Sequence, residues 1–116
     1  MENKEKGRIY FVDKFFVPQS SINEFIEKMT YNRAFVAGLS GYLKGDALEK
    51  SDGEGNLTII TVVLWENADK LKEAKLAIQT EFKRTGFNPV VFYQRLGILM
   101  ERDEYGNLRE YQENQA

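Results

Sequence analysis

Asp13 is the residue with the clearest claim to chemistry. It sits inside Ile9-Tyr-Phe-Val-Asp-Lys-Phe-Phe-Val17, a run whose alternation puts its carboxylate on the same face as Phe11 and Phe15. A carboxylate stripped of water by aromatic neighbours is a better proton acceptor, which is what a general base requires. Arg95 and Tyr93, in the apolar run Val90 to Met100, are the donors expected to hold an anion once that proton has left. A plainer reading uses the same residues: the first and last strands are neighbours, and Asp13 simply pairs with Arg95. Trp65 closes the run Leu57 to Trp65 and is read as a core or cavity wall. Asn32 and Arg33 interrupt the apolar spacing of a helix and face either a pocket or solvent. Tyr31 and Tyr42 are donors to an oxyanion or packing residues with a polar tip, and Phe35 is a core or stacking surface.

What is missing narrows the chemistry further. The 116 residues contain neither cysteine nor histidine, which excludes disulfides, thiol catalysis, Cys-type zinc sites and the commonest haem ligand. No metal site is expected. A net charge of -2 gives no basic footprint for nucleic acid. The charged opening Met1 to Gly7 lacks the apolar run of a signal peptide, and no stretch has the length of a membrane span. A cytoplasmic protein without nucleic-acid or membrane partners is the expectation.

The elements that must position these residues follow from periodicity. Residues 1–7 form a polar, disordered terminus, and Ile9 to Val17 is a strand ended by Pro18. Ser21-Ile-Asn-Glu24 is a capping-box pattern opening a helix over Ile22, Phe25, Ile26 and Met29. That helix is broken near Thr30 or continues to Gly38 or Gly41. Tyr42 to Lys50 is a polar edge strand, and Ser51 to Asn56 a hairpin turn. Asp52, Glu54 and Asn56 alternate as in a calcium loop, but position twelve falls on Val63 rather than a carboxylate. Leu57 to Trp65 is apolar on both faces. It runs into a helix capped by Asn67, striped by Leu71, Ala74, Ile78 and Phe82, and stopped at Gly86. Val90 to Met100 is read as the fourth strand, and residues 103–116 as a tail or dimer arm.

The order β-α-β-β-α-β is that of a ferredoxin-like α+β domain, here residues 8–102, with both helices on one face of an antiparallel sheet. Three strands are apolar on both faces, so the helix-free face needs a cover. A second copy is the simplest one, giving a homodimeric barrel.

In this arrangement the chain resembles the antibiotic biosynthesis monooxygenase family of dimeric α+β barrels. The likeness is carried by Tyr10-Phe-Val-Asp-Lys-Phe-Phe-Val-Pro18 before the helix at Ser21, by Gly41-Tyr-Leu43, and by Val63-Leu-Trp-Glu-Asn67. The resemblance implies a cofactor-independent monooxygenase oxygenating a small phenolic, aromatic or quinol-like substrate; Asp13, by its place among aromatics, is the base such chemistry would use. The resemblance also implies an alternative, a non-catalytic homodimer that binds a small apolar ligand. The haem-degrading branch uses a histidine on the second helix, a nearby tryptophan and a strand-one asparagine. Here Ala68 to Thr85 has neither His nor Trp, and Asp13 stands at the asparagine position, so haem degradation is disfavoured.

Overall fold

The computed structural model of the chain describes residues 7–108. The expected frayed start (residues 1–6) and most of the expected tail (109–116) lie outside the described residues. β1 (Ile9–Val17) leads through a single 3-10 turn, Gln19–Ser21, into α1 (Ile22–Ala37). β2 (Tyr42–Ser51) and β3 (Leu57–Trp65) follow, then α2 (Ala68–Thr85), α3 (Pro89–Leu96) and β4 (Leu99–Tyr105). The four strands form one antiparallel sheet in the order β2-β3-β1-β4. This is the ferredoxin-like α+β topology expected from the element order, with one additional helix. Among the described residues no helix is long and apolar enough to cross a membrane.

α1 is a single unbroken helix of 16 residues, so Asn32 and Arg33 do not mark a break. The capping box does not form. The 3-10 turn has already brought Ser21 into helical backbone geometry, leaving its hydroxyl free to donate instead to the buried Leu96 carbonyl at 2.6 Å. Glu24 turns outward to Arg95. The second helix follows its sequence closely. Asn67 accepts from the Lys70 amide, Gly86 adopts the left-handed conformation, and the Phe87 ring packs on Phe82 at 5.0 Å.

The fourth strand lies elsewhere than its apolar run suggested. Val90 to Leu96 belongs to a helix, started by Asn88, whose side chain accepts from the Val91 amide, with Pro89 in the first turn. Gly97, at φ 71°, ends it in a conformation that disfavours other residues. The strand is Leu99 to Tyr105 and takes in residues first read as tail. Two helix-ending signals outweigh a short β-branched run, and Val90 and Val91 remain largely exposed on the resulting helix.

The core is divided. Phe15, Val17, Phe25, Ile59, Leu96 and Ile98 fill one end of the space between helices and sheet. Trp65, Leu71 and Ala74 fill the other. Ile59 is buried among the first group, and truncating it leaves a void that neighbours only partly close. Ile59→Ala is expected to cost about 2–5 kcal/mol in urea unfolding; a loss under about 0.5 kcal/mol would mean that this cluster is not a packed core.

Candidate functional site

Register explains why the core splits. One row across the helix-facing side of the sheet reads Ala47, Thr61, Asp13, Arg102. The row toward one core cluster includes Ile59, Phe15 and Met100; the row toward the other includes Val63 and Phe11. A polar row therefore separates two apolar ones, and a cavity of about 550 Å³ opens above it beneath the helices.

Asp13 lines that cavity and is 8% exposed. Its partner is Arg102, on the neighbouring strand β4, and not Arg95. The Arg102 Nε and one terminal nitrogen donate to the two carboxylate oxygens at 2.7 and 2.9 Å. Hydrogen bonding to Asp13 holds Arg102 firmly in its charged form. The Arg102 guanidinium also lies 4.9 Å from the centre of the Phe11 ring, where the π face favours a cation.

Arg95 sits on the outer side of α3 and forms a two-pronged ion pair with Glu24 of α1, away from the cavity. The expected Asp13–Arg95 pairing is thereby corrected. The cause is local: helix geometry aims Arg95 at α1, while strand pairing sets Arg102 directly opposite Asp13. Tyr93 does line the cavity, from α3. Burial pushes its phenol up, with Arg102 opposing, so at neutral pH it is a hydrogen-bond donor.

Trp65 lines the far wall at 2% exposure, edge-on to Tyr42 at 5.9 Å. Its Nε1–H is buried and has no hydrogen-bond partner among the described residues. Tyr42 lies over Gly45, where a Cβ would collide with the Tyr42 hydroxyl. Asn32 and Arg33 both line the cavity, so the interruption in the α1 stripe faces the pocket. Tyr31 and Phe35 are not among the lining residues. Tyr31 is half exposed and donates to Glu81 of α2 at 2.7 Å, and Phe35 is half-buried elsewhere on α1.

Sequence reasoning missed Arg102, Thr61, Lys28 and Lys75, all of which line the cavity. A signal for Arg102 existed. Met100, Arg102 and Glu104 alternate with Leu99, Glu101 and Asp103, a strand pattern hidden by its charge. Among the described residues no group of three or more Asp, Glu, His or Cys side chains is placed to hold a metal ion.

Comparisons place this geometry in a known fold. No protein-family profile matches the chain. No curated protein matches its sequence significantly. Solved structures do match in shape. A candidate monooxygenase from Shewanella loihica PV-4 superposes with a TM-score of 0.67 at 20% identity, covering 89% of this chain and 96% of that one. SnoaB, a cofactor-independent oxygenase from Streptomyces nogalater, gives 0.64 at 19% identity, covering 89% and 95%. A dimeric ferredoxin-like protein from an uncultured marine organism gives 0.66 at 11% identity, covering 87% and 95%. At such identities the likeness is one of fold.

The cavity roof is fastened by Glu81 of α2, which accepts from Tyr31 of α1 and from Arg84. Hydrogen bonds from Arg84 and then Tyr31 pull the Glu81 carboxyl down to about 2, from the usual 4.5. Its contribution to stability is therefore complete above the usual value and is lost as pH falls from 4.5 toward 2. Glu81→Gln should flatten the stability–pH profile across that acid window in urea titrations. A variant profile superimposable on the parent's would show that the clamp adds nothing.

Proposed function

We propose that this chain is a homodimeric, cofactor-independent monooxygenase of the antibiotic biosynthesis type, oxygenating a small phenolic or quinol-like aromatic. The observation that carries the reading is the aromatic-walled cavity with Asp13, Arg102 and Tyr93 at one side and an unpaired Trp65 N–H in its wall. The similarity in fold to SnoaB and to the Shewanella loihica protein supports it.

The chemistry needs few parts. Each Asp13 oxygen accepts one bond from Arg102 and keeps a second lone pair, enough to take the proton of a phenol or enol. Arg102 and Tyr93 then hold the resulting anion by charge and hydrogen bonding. The electron-rich anion passes one electron to dioxygen, and the radical pair combines to a peroxide. For an anthrone-type methylene, loss of water leaves the carbonyl, so one oxygen atom is inserted and the other departs as water. Dioxygen is the sole oxidant. The apolar walls keep bulk water from the reactive intermediates.

One observation favours a second reading. Both Asp13 oxygens are already engaged, as they would be in a purely structural pair, and the same cavity would then bind a small apolar ligand without turning it over. Oxygen uptake across a panel of anthrones and hydroquinones separates the two. The oxygenase reading expects protein-dependent uptake that falls about 100-fold or more in Asp13→Asn. Binding without uptake favours the second, and parental turnover by Asp13→Asn removes Asp13 as the base.

The homodimer rests on the sheet face opposite the helices. Val12, Phe16, Ile60, Val62 and Leu64 lie there by alternation and register, beside Leu48 and Leu99, which are 59% and 70% exposed. A patch of this kind is the usual mark of an interface. Light scattering at micromolar concentration should return twice the chain mass, and a clean monomer would remove the barrel.

A further inference from the structure

The cavity carries more positive charge than the proposed chemistry uses. Lys28, Arg33, Lys75 and Arg102 line it, and Asp13 is the only carboxylate among the described lining residues. Two of the four cations are answered. Arg102 pairs with Asp13, and the Lys75 ammonium pairs with Glu104 at 2.7 Å. Lys28 and Arg33 form no salt bridge among the described residues. The Lys28 ammonium lies over the rings of Phe87, at 4.1 Å, and Tyr31, at 5.0 Å. Glu81, whose carboxyl feels the Lys28 charge, is already engaged by Arg84 and Tyr31.

Lys28 and Arg33 flank the inward stripe of α1 that carries Met29 and Asn32, about 140° apart around the helix, with Lys28 half-buried and Arg33 exposed. Charges beside aromatic walls act through a lower dielectric than bulk water and focus their field into the cleft.

We infer that the cavity takes an aromatic acid: a small ring system held among the aromatic walls, with a fixed carboxylate received by Lys28 and Arg33 and by the Asn32 amide. The inference rests on the cavity being the substrate site proposed above, and it adds the charge that the substrate carries. Lys28 and Arg33 are here specificity-determining residues that bind the far end of the molecule, distinct from the Asp13 end where the proton moves.

The chain has one tryptophan, and it lies in the cavity wall, so its fluorescence reports occupancy directly. The probes are 9,10-anthraquinone-2-carboxylate and its neutral carboxamide, matched in shape and both able to quench indole emission. At low ionic strength the carboxylate should bind roughly fivefold or more tightly than the carboxamide, and added salt should erase most of the difference. Lys28→Gln with Arg33→Gln should remove that preference, weakening the carboxylate several-fold more than the carboxamide. Arg33→Gln alone, which breaks no contact seen in the fold, should remove part of it. Equal affinity for the two probes, equal weakening of both by the variants, failure of both to bind, or displacement of the carboxylate by an equal concentration of inorganic phosphate would each overturn the inference. The readout is occupancy and not turnover. Charge-selective binding without oxygen uptake leaves this inference standing and removes the oxygenase reaction. Equal use of neutral and acidic substrates in oxygen uptake does the reverse.

Discussion

A carboxylate pointing into the core side of a sheet is a constraint that its surroundings must answer. Asp13 is buried at the middle of β1, and leaving it unpaired would cost several kcal/mol in lost hydration. Arg102 answers it with two parallel bonds, a geometry that matches a guanidinium to a carboxylate better than any lysine would. Because strand pairing sets Arg102 opposite Asp13, the pair also ties β4 to β1 in one register. The half-exposed guanidinium lies against Phe11, so the polar row joins an apolar wall without an uncompensated charge.

That row has a structural price, which is empty space. Two apolar clusters close the ends of the layer between helices and sheet, and neither extends across Thr61, Asp13 and Arg102. The helices bridge the gap instead of filling it. α1 is held to α2 by the Tyr31–Glu81 bond and to α3 by the Glu24–Arg95 pair, both on the outer surface. These surface contacts supplement the apolar packing of α1 on α3 around Phe25, Tyr93 and Leu96 without crossing the open interior. This is also why Arg95 and Tyr31, expected at the site, serve its scaffold: they hold the helices that cover the cavity.

The sequence made the sheet and the second helix legible because their signals are local and redundant. In β1 and β3 the β-branched and aromatic runs are long enough to mark the strands, and Asn67 with Gly86 brackets α2 at both ends. The last quarter failed for a physical reason. Val90 to Leu96 has β-forming composition, but the chain obeys its punctuation, Asn88-Pro89 and Gly97, because caps satisfy backbone groups that composition does not. The true strand was concealed by charge: a sheet-edge strand can carry Glu101 and Asp103 on the face away from the helices, and Glu104 where it meets Lys75 of α2, at little cost. Its inward arginine was marked only by the alternation of Met100, Arg102 and Glu104, a weak signal under so much charge. Asn32 and Arg33 posed the opposite problem, since their spacing was read correctly as an interruption but nothing local distinguishes a pocket from solvent.

The cavity wall away from Asp13 carries a buried donor with no partner among the described residues. Trp65 is packed against Tyr42 and almost wholly buried, yet its N–H is unpaired. An unsatisfied buried donor costs about 1–3 kcal/mol, and a fold without need of it would carry phenylalanine or leucine there. An acceptor on a bound ligand would relieve that cost at the moment of binding, so the deficit in the unbound protein becomes part of the affinity for the complex. The inward carboxylate, the two α1 cations without a salt bridge and the unpaired indole N–H all line one interior space. On the function proposed above, they would suit an occupant with an aromatic body, an acidic or ionisable edge and an oxygen to accept a hydrogen bond.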